Sequence, residues 1–405
     1  MKKIYCAITF SSLLLFSLIT LSGNQSNNHL AHTRPSILLV HAAPTWGGIA
    51  QHVANLYGGL KNRGYDVSAL LLDQSRIDKE FTSRGWSHFT MKKSSKEPFD
   101  KSLLKNLTQI CTNQHIDIIH VNWPSTAAKV THTIKAKFPH VKTIFTHHGP
   151  SIPKPMVFKN FDYLSCVAKR ICDQIMQAHY KKLKNAPVWL TPPCFDETKF
   201  DSFVPPLLSA QEFFKKNFNL TLGCTPIICM IANLFDNKNH LCLLQAMHTL
   251  VYEYRTPVHL MLAGEGPFKR QLVSACDTLK LVNYVHFLGY VKQIPELLHY
   301  SQIKVLSSWD ESFGVCLLEA GLMKRPVIFA TETCGANFIV LDKQTGLLFK
   351  NRDARDLADK IKCLLDNEAW ARQLGENAYN YIKTNFSSAA TIERFIELYE
   401  YAYQH

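Results

Sequence analysis

The sequence predicts an α/β protein made of two doubly wound domains, each built around a parallel β-sheet. The chain has 405 residues, which is more than one ordinary hydrophobic core accommodates, so two domains are expected. Short apolar runs alternate with segments that carry apolar residues at helical spacing, and this alternation occurs twice along the chain. A strand, a helix and a strand within about 35 residues form a βαβ unit, whose two strands are parallel.

The first alternation starts near Ile37. The apolar run SILLV is followed by the loop APTWGG, by a helical segment that ends at Arg63-Gly64, and by the run DVSALLL. Further strand-like runs are IDIIHVN, KTIFTHHG, YLSCVA and VWLTPP. Residues 196–223 are less regular and contain Pro205-Pro206, so we interpret this region as the connection between the domains.

The second alternation starts with the strand-like TPIICMIANL and a helical segment after it. Further strand-like runs are VHLMLAGEG, YVHFLGYV, IKVLSSW, RPVIFAT and GLLF, and three long helical segments close the chain. The predicted parts are a signal or anchor segment with its linker (1–34), a first domain (35–200), a connection (201–222), a second domain (223–385) and a C-terminal helix expected to cross back to the first domain (386–405). Ligands are expected in the cleft between the domains, where the carboxyl ends of the strands lie.

The composition indicates a folded protein with anionic partners. Hydrophobic residues make up 46% of the chain and charged residues 19%, and the formal net charge is +13. The basic residues are scattered, and neither a zinc-finger spacing nor an RNA-binding aromatic signature accompanies them. We therefore expect no nucleic-acid partner and favour a phosphorylated small molecule or a membrane surface.

The cysteines predict free thiols rather than disulfides. There are 12 of them, with no C-x-x-C pair, and Cys229, Cys242, Cys316 and Cys363 lie inside apolar runs. Such residues are typical of small buried side chains in a reducing compartment. A metal site is correspondingly not expected.

The N-terminus is hydrophobic. Lys2 and Lys3 precede an uncharged stretch of 18 residues, IYCAITFSSLLLFSLITL, whose length lies between that of a signal-peptide core and that of a membrane anchor. Positive charge ahead of it would place the rest of the chain outside the cytoplasm, whereas the thiols favour the inside. We expect membrane association through this segment with the two domains in the cytoplasm, and a cleaved signal peptide remains the alternative.

Two acids bracket the stretch ESFGVCLLE. Glu311 follows the strand-like IKVLSSW and is therefore expected at the cleft, and a helix with free N–H groups opens at Ser312-Phe313-Gly314. Glu319 lies about 12 Å further along that helix. Alone, either acid is best interpreted as a solvated helix residue. Together, flanking an anion-binding helix start, they favour a site for a sugar joined to a nucleotide by pyrophosphate.

Other candidates also lie where strands end. Lys238, in the loop after TPIICMIAN, is placed to reach phosphate oxygens as a point charge, although a surface lysine is the commoner reading. Gly47-Gly48 lets a ligand approach the backbone closely, although such a pair also makes an ordinary turn. His148 ends TIFTHHG and is expected to face the cleft, although single histidines are usually structural. Because no G-x-G-x-x-G fingerprint is present, a nicotinamide cofactor is not expected.

Taken in order, these motifs resemble those of the retaining glycosyltransferases of family 4, over roughly residues 37–405. The family's two acids with F-G between them match Glu311 and Glu319, and its lysine after the first strand of the second domain matches Lys238. Its Gly-Gly loop matches Gly47-Gly48 and its T-x-H matches Thr146-His147-His148. Its hinge pattern is echoed by TPPCFDETKF, and its Pro-Val strand start by RPVIFAT.

The resemblance implies the GT-B architecture, in which two Rossmann-like domains face a cleft and C-terminal helices pack across. It implies transfer of a hexosyl-type sugar from a nucleotide-sugar to a glycan or lipid-linked acceptor with retention of configuration, as in polysaccharide or lipopolysaccharide biosynthesis. Lys238 and the helix start at Phe313-Gly314 would hold the diphosphate, Glu319 the ribose hydroxyls and Glu311 the sugar, with His148 on the sugar or the acceptor. Neither a metal nor another cofactor is implied, because a lysine and a helix dipole can replace a cation.

Three positions depart from the family's pattern. Asn233 stands where an arginine is frequent, Lys324 where a glycine is usual, and Phe338 where an acid is often found. Asn233 stays a candidate donor-binding residue, and it and Phe338 bear on donor preference more than on activity. Two alternatives stay open: a nucleotide-sugar epimerase of similar architecture, which product analysis would reveal, and a non-catalytic nucleotide-binding protein, which would turn over no donor.

Overall fold

The computed structural model describes residues 34–43, 47–92, 98–122, 127–149, 161–179, 187–331 and 336–405. These residues form two parallel β-sheets with helices packed against them, which confirms the predicted α/β fold class. The described strands of the first sheet end at Leu190 and those of the second begin at Ile227. The domain limits between these two residues stay a prediction.

The first sheet has seven described strands in the order β3-β2-β1-β4-β5-β6-β7, all parallel. The strands are β1 (Ile37–His41), β2 (Val67–Leu72), β3 (Phe89–Met91), β4 (Ile118–Val121), β5 (Lys142–His147), β6 (Tyr163–Cys166) and β7 (Val188–Leu190). The helices between them are α1 (Gly48–Asn62), α2 (Arg76–Ser83), α3 (Phe99–Asn113), α4 (Ala127–Lys137) and α5 (Lys169–His179). The strand order reverses between β1 and β4, and such a switch point opens a crevice at the carboxyl ends of the strands.

The second sheet has six described strands in the order β10-β9-β8-β11-β12-β13, again parallel. They are β8 (Ile227–Ile231), β9 (His259–Ala263), β10 (Val285–Gly289), β11 (Ile303–Leu306), β12 (Val327–Ala330) and β13 (Gly346–Phe349). The helices up to β13 are α6 (Thr198–Asp201), α7 (Ala210–Phe218), α8 (His240–His248), α9 (Lys269–Thr278), α10 (Ile294–Tyr300), α11 (Val315–Leu322) and α12 (Ala336–Ile339), and those after it are α13 (Ala354–Asp366), α14 (Glu368–Asn385) and α15 (Ser388–Gln404). The switch point here lies between β8 and β11.

The connection between the sheets is more regular than the sequence suggested. It contains α6 and α7, and α7 starts with a capping box in which Ser209 and Glu212 bond each other's backbone N–H groups. The prolines Pro205 and Pro206 lie before this helix rather than inside it. The Ser-x-x-Glu pattern that predicts a helix start was therefore present in the sequence, but the nearby prolines led us to interpret the region as irregular.

The last helix, α15, packs on the first domain. Its buried side chains Ile392, Phe395 and Tyr399 share one hydrophobic cluster with β1, β2 and α1. A Cβ atom on Gly59 of α1 would lie 2.0 Å from Ile392 Cδ1, so only a glycine allows this close approach of the two helices. The C-terminal helix is thus part of the first domain's core.

A buried polar chain joins α15 to the first sheet. Tyr399 Oη lies 2.6 Å from His120 Nδ1 on β4, and His120 Nε2 lies 2.7 Å from Thr146 Oγ1 on β5. The chain continues from Thr146 to Ser165 and Thr191 through hydroxyl contacts of 2.6 and 2.7 Å. Since these groups are buried, each depends on its neighbour for hydrogen bonding.

Tyr399→Phe is expected to lower the free energy of unfolding by about 2 kcal/mol, because it leaves a buried ring nitrogen of His120 without that partner. Urea denaturation of the variant and the parent measures the difference. Tyr290→Phe, which removes a hydroxyl from an exposed ring, serves as the matched control and is expected to change stability by less than about 0.5 kcal/mol. Equal stability of the two variants would contradict the role given to this hydrogen bond.

The predicted membrane association is corrected. Among the residues that the structure describes, no helix is both long and apolar enough to cross a bilayer. The stretch of residues 4–21 on which that prediction rested lies outside the described residues.

Candidate functional site

Lys238 and Glu311 meet at the switch point of the second sheet. Lys238 lies in the loop after β8 and Glu311 in the loop after β11, and these two strands are neighbours in the sheet. Lys238 Nζ lies 2.5 Å from Glu311 Oε2, with the two side chains 19% and 12% exposed. Ser308 Oγ donates to the same carboxylate oxygen at 3.3 Å. The structure therefore brings together two residues that are 73 positions apart in sequence.

The two loops that carry this pair are bonded to each other. The backbone N–H of Trp309 donates to the Asn237 carbonyl at 3.0 Å, and Trp309 Nε1 donates to the Asp236 carbonyl at 3.1 Å. Asn237 Nδ2 donates in return to the Asp310 carbonyl at 3.2 Å. The carboxylate and the ammonium are thus held in place before any ligand arrives, which is the arrangement that electrostatic catalysis requires.

Helix α11 starts beside this pair. Its N-cap is Gly314, whose φ of +84° lies in the left-handed region, and a Cβ there would lie 2.9 Å from Leu317 Cδ1. Phe313 is buried, with its ring 5.9 Å from that of Phe386 and 6.3 Å from that of Phe338. The Phe313 side chain therefore anchors the helix start in the core, and only its backbone is available to a ligand.

Glu319 lies on α11, one turn beyond the helix start. Its side chain is 14% exposed, and its Oε1 lies 3.5 Å from Lys199 Nζ of α6. Burial raises the pKa of the Glu319 carboxyl above its ordinary value, while Lys199 and Lys304 act in the opposite direction. Glu311 and Glu319 thus have different partners, and neither is a solvated surface acid.

On the first-domain side, Gly47 is the N-cap of α1 and Gly48 its first residue. Among the described residues, a Cβ on either glycine would meet no atom within 4 Å. His148 follows β5, and its Nε2 lies 3.1 Å from Asn122 Oδ1 after β4. Burial and the neighbouring histidines hold the pKa of His148 well below its usual value, so the imidazole is neutral and able to share hydrogen bonds with hydroxyl groups.

Charged groups of the two domains interact at Asp310. Burial raises the pKa of Asp310, beside Glu311, and the positive charges of Lys238 and of Arg170 on α5 of the first domain oppose that rise. The charge of Arg170, in the first turn of α5, thus acts on the loop that carries Glu311.

Lys324 and Phe338 can be placed in a structural context among the three departures from the family's pattern, whereas nothing in the structure explains Asn233. Asn233 is exposed in the loop after β8. Lys324 adopts a left-handed φ of +54°, where glycine is favoured, and its Nζ pairs with Glu376 at 3.0 Å. Phe338 packs against Phe386, with ring centroids 5.1 Å apart, and so supports the start of α11 instead of supplying a carboxylate.

Several residues at the site were missed from the sequence. Lys199 lies within the hinge-like TPPCFDETKF, but nothing in that pattern distinguished it from a surface lysine. Asn122 and His52 had no motif; the His52 and His148 rings are 5.0 Å apart. Of these residues, Lys304 could have been noticed from the sequence, because it interrupts the otherwise apolar run of β11.

The cysteines that the structure describes are free thiols. Cys229 and Cys242 are buried as expected and Cys316 is half-buried, whereas Cys363 is exposed, so the expected burial is wrong for that residue. Within the described residues, no group of three or more His, Cys, Asp or Glu side chains is arranged to hold a metal ion.

Two family models match this chain. The model of glycosyl transferases group 1 matches residues 212–381, and that of glycosyltransferase family 4 matches residues 46–197. Together they cover the second sheet, the first sheet from β2 onward, and the loops that carry Lys238, Glu311 and His148.

Individual proteins are similar over most of the chain. N-acetyl-alpha-D-glucosaminyl L-malate synthase of Bacillus anthracis is 25% identical over 88% of this chain and 94% of its own length. A Campylobacter jejuni enzyme, the GalNAc-alpha-(1->4)-GalNAc-alpha-(1->3)-diNAcBac-PP-undecaprenol alpha-1,4-N-acetyl-D-galactosaminyltransferase, is 24% identical over 86% of this chain and 88% of its own. The crystal structure of Anabaena HepE in complex with UDP-glucose has a TM-score of 0.74 at 16% identity and covers 91% of this chain and all of that one. The architecture is the predicted GT-B fold.

Proposed function

Since the chain belongs to the group 1, family 4 type of glycosyltransferases, we propose that it transfers a hexosyl-type sugar from a nucleotide-sugar to a glycan or lipid-linked acceptor with retention of configuration. The observation that carries the proposal is the Lys238–Glu311 pair of 2.5 Å at the switch point, beside the start of α11. An ammonium and free helix N–H groups suit a diphosphate, and the carboxylate suits sugar hydroxyls.

Each residue has a place along the donor. Lys238 and the backbone at Gly314 hold the diphosphate, and Glu319 accepts hydrogen bonds from the ribose. Glu311 orients the sugar, and His148 contacts the sugar or the acceptor from the opposite domain. Gly47 and Gly48 let the donor approach the first domain's backbone. The UDP-glucose complex of HepE supports a nucleotide-sugar donor, and the Campylobacter relative's name supports a lipid-linked acceptor.

The reaction we propose needs no metal. Lys238 and the dipole of α11 supply the positive potential that stabilises the departing nucleoside diphosphate. We assign no carboxylate of the described residues as a nucleophile, so retention proceeds through displacement on one face of the sugar within an ion pair. Retained activity in EDTA, with the anomeric configuration of the product read by NMR, tests both statements; inversion or a requirement for metal contradicts them.

A donor screen tests the function itself. Thermal shift with a panel of nucleotide-sugars is expected to reveal a donor that raises Tm, because a ligand that binds the folded state stabilises it. Turnover of that donor with candidate acceptors is then followed by mass spectrometry of the products. Formation of a glycoside supports the proposal, whereas a free epimer of the donor sugar supports an epimerase, which the relatives do not favour.

Lys238→Ala is expected to weaken binding of the nucleoside diphosphate about tenfold to a hundredfold, because a charge-assisted hydrogen bond is lost. Isothermal titration calorimetry with the nucleotide identified in the screen measures it. Lys216→Ala, at an exposed position on α7, is the control for loss of one positive charge. Unchanged affinity in Lys238→Ala would remove Lys238 from the site.

A further inference from the structure

Lys304 carries an amino group in the centre of the second sheet. It lies on β11, between β8 and β12, and its side chain is fully buried. Lysines are almost never fully buried without a charged partner, because removing an ammonium from water is costly. The hydrogen bond that Lys304 Nζ makes, at 3.0 Å, goes to Cys316 Sγ on α11.

A thiol does not compensate for this burial. Sulfur is a weak acceptor, and an unbranched apolar side chain of similar length would fill the same space without the cost of desolvation. The carboxylate of Glu319 is the nearby group of opposite charge. Cys316 and Glu319 are three residues apart and therefore neighbours on one face of α11, and Glu319 interacts electrostatically with Lys304.

Glu319 therefore has one lysine on each side. Lys199, which is 49% exposed, approaches from the connection at 3.5 Å, whereas Lys304 lies beneath α11. A ligand that enters from the cleft competes with Lys199 for the carboxylate. It leaves Lys304 in place, because that lysine is on the buried side.

Building on the proposed function, we propose that Lys304 is a positioning residue that keeps the Glu319 carboxylate ionised and able to accept hydrogen bonds from the ribose of the donor. An ionised carboxylate accepts from both ribose hydroxyls, whereas a protonated one donates its own hydrogen. The buried charge costs folding stability and serves the binding of the nucleotide.

Among the residues that the structure describes, few other ionisable groups surround Glu319. Those that face it are Lys199 from α6, Lys304 from β11 and Cys316 from its own helix. Charged groups on the other elements that pack on α11 have partners elsewhere: His299 lies near Arg325, Glu376 pairs with Lys324, and Lys383 pairs with Glu197 and Asp201. Burial raises the pKa of Glu319 and Lys304 opposes that rise, so loss of Lys304 moves the protonation of Glu319 to higher pH.

The experiment is a double-mutant cycle on nucleotide affinity across pH. Calorimetry with the free nucleoside diphosphate that the wild-type chain binds is done for Lys304→Met, Glu319→Gln and the double variant, with Lys216→Met as the control at an exposed lysine. As the pH is lowered, nucleotide affinity is expected to begin to fall at a higher pH in Lys304→Met than in the wild type. On the acid side, the variant is expected to bind about tenfold more weakly than the wild type. In the Glu319→Gln background, which has no carboxyl group to titrate at this position, Lys304→Met should have no further effect.

Stability separates this role from a structural one. Lys304→Met is expected to raise Tm, because a buried charge is replaced by an apolar side chain of similar volume. Lys304→Leu repeats the test if the methionine variant does not fold. An unchanged pH profile in either variant, or an equal loss of affinity in the Glu319→Gln background, overturns the inference. Failure of the wild-type chain to bind any nucleoside diphosphate overturns the proposed function itself.

Discussion

Glu311→Gln is expected to lower kcat about a hundredfold or more, with a smaller change in the donor KM. Its carboxylate lies 2.5 Å from Lys238 Nζ. In the proposed reaction, the sugar is transferred beside this carboxylate and positive charge develops at the anomeric carbon. A preorganised electrostatic contact of this kind acts mainly in the transition state, and its removal typically costs two to three orders of magnitude in kcat. Steady-state kinetics on the donor and acceptor found in the screen measure both constants.

Glu319→Gln provides the internal comparison. Its proposed contact with the ribose is made in the ground state and the transition state alike, so donor KM should rise with a smaller change in kcat. Glu368→Gln, on the exposed start of α14, is the matched control for loss of a surface carboxylate. If both site variants behave like this control, the two acids take no part in the reaction.

Acidification from neutral pH to about pH 5.5 is expected to destabilise the protein by several kcal/mol. Burial lowers the pKa of His41 to about 4 and that of His52 to about 3, and holds the pKa values of His120 and His148 well below their ordinary value. In the unfolded chain the same side chains titrate near pH 6.5. Between these limits the unfolded state binds more protons, so the free energy of unfolding falls as the pH falls, by about 1.4 kcal/mol per histidine and pH unit.

Urea denaturation at a series of pH values between about 7 and 4 tests this linkage. His120→Gln should reduce the number of protons taken up on unfolding by about one. His115→Gln, at a mostly exposed histidine, is the matched control and should leave that number nearly unchanged. A free energy of unfolding that does not change over this range would contradict the neutral, buried state of the four histidines.

The sequence by itself determined the fold class and which strands of the second sheet carry the candidate site. Apolar runs such as SILLV and TPIICMIANL are long enough to indicate buried parallel strands, and a residue that follows such a strand must lie at its carboxyl end. This reasoning placed Lys238 and Glu311 at the cleft, and the structure joins them because β8 and β11 are neighbours. The glycine at 314, just before an apolar helix, located the start of α11 to within a few residues.

Only the tertiary structure decided which groups meet these residues. Lys199 and Lys304 come from a connection and from the middle of a strand, yet both interact with Glu319. The sequence also did not show that the Phe313 side chain packs in the core against Phe338 and Phe386. Local patterns report the periodicity of one element, whereas these contacts depend on how distant elements pack, and a buried charge reveals its partner only when the packing brings the two together.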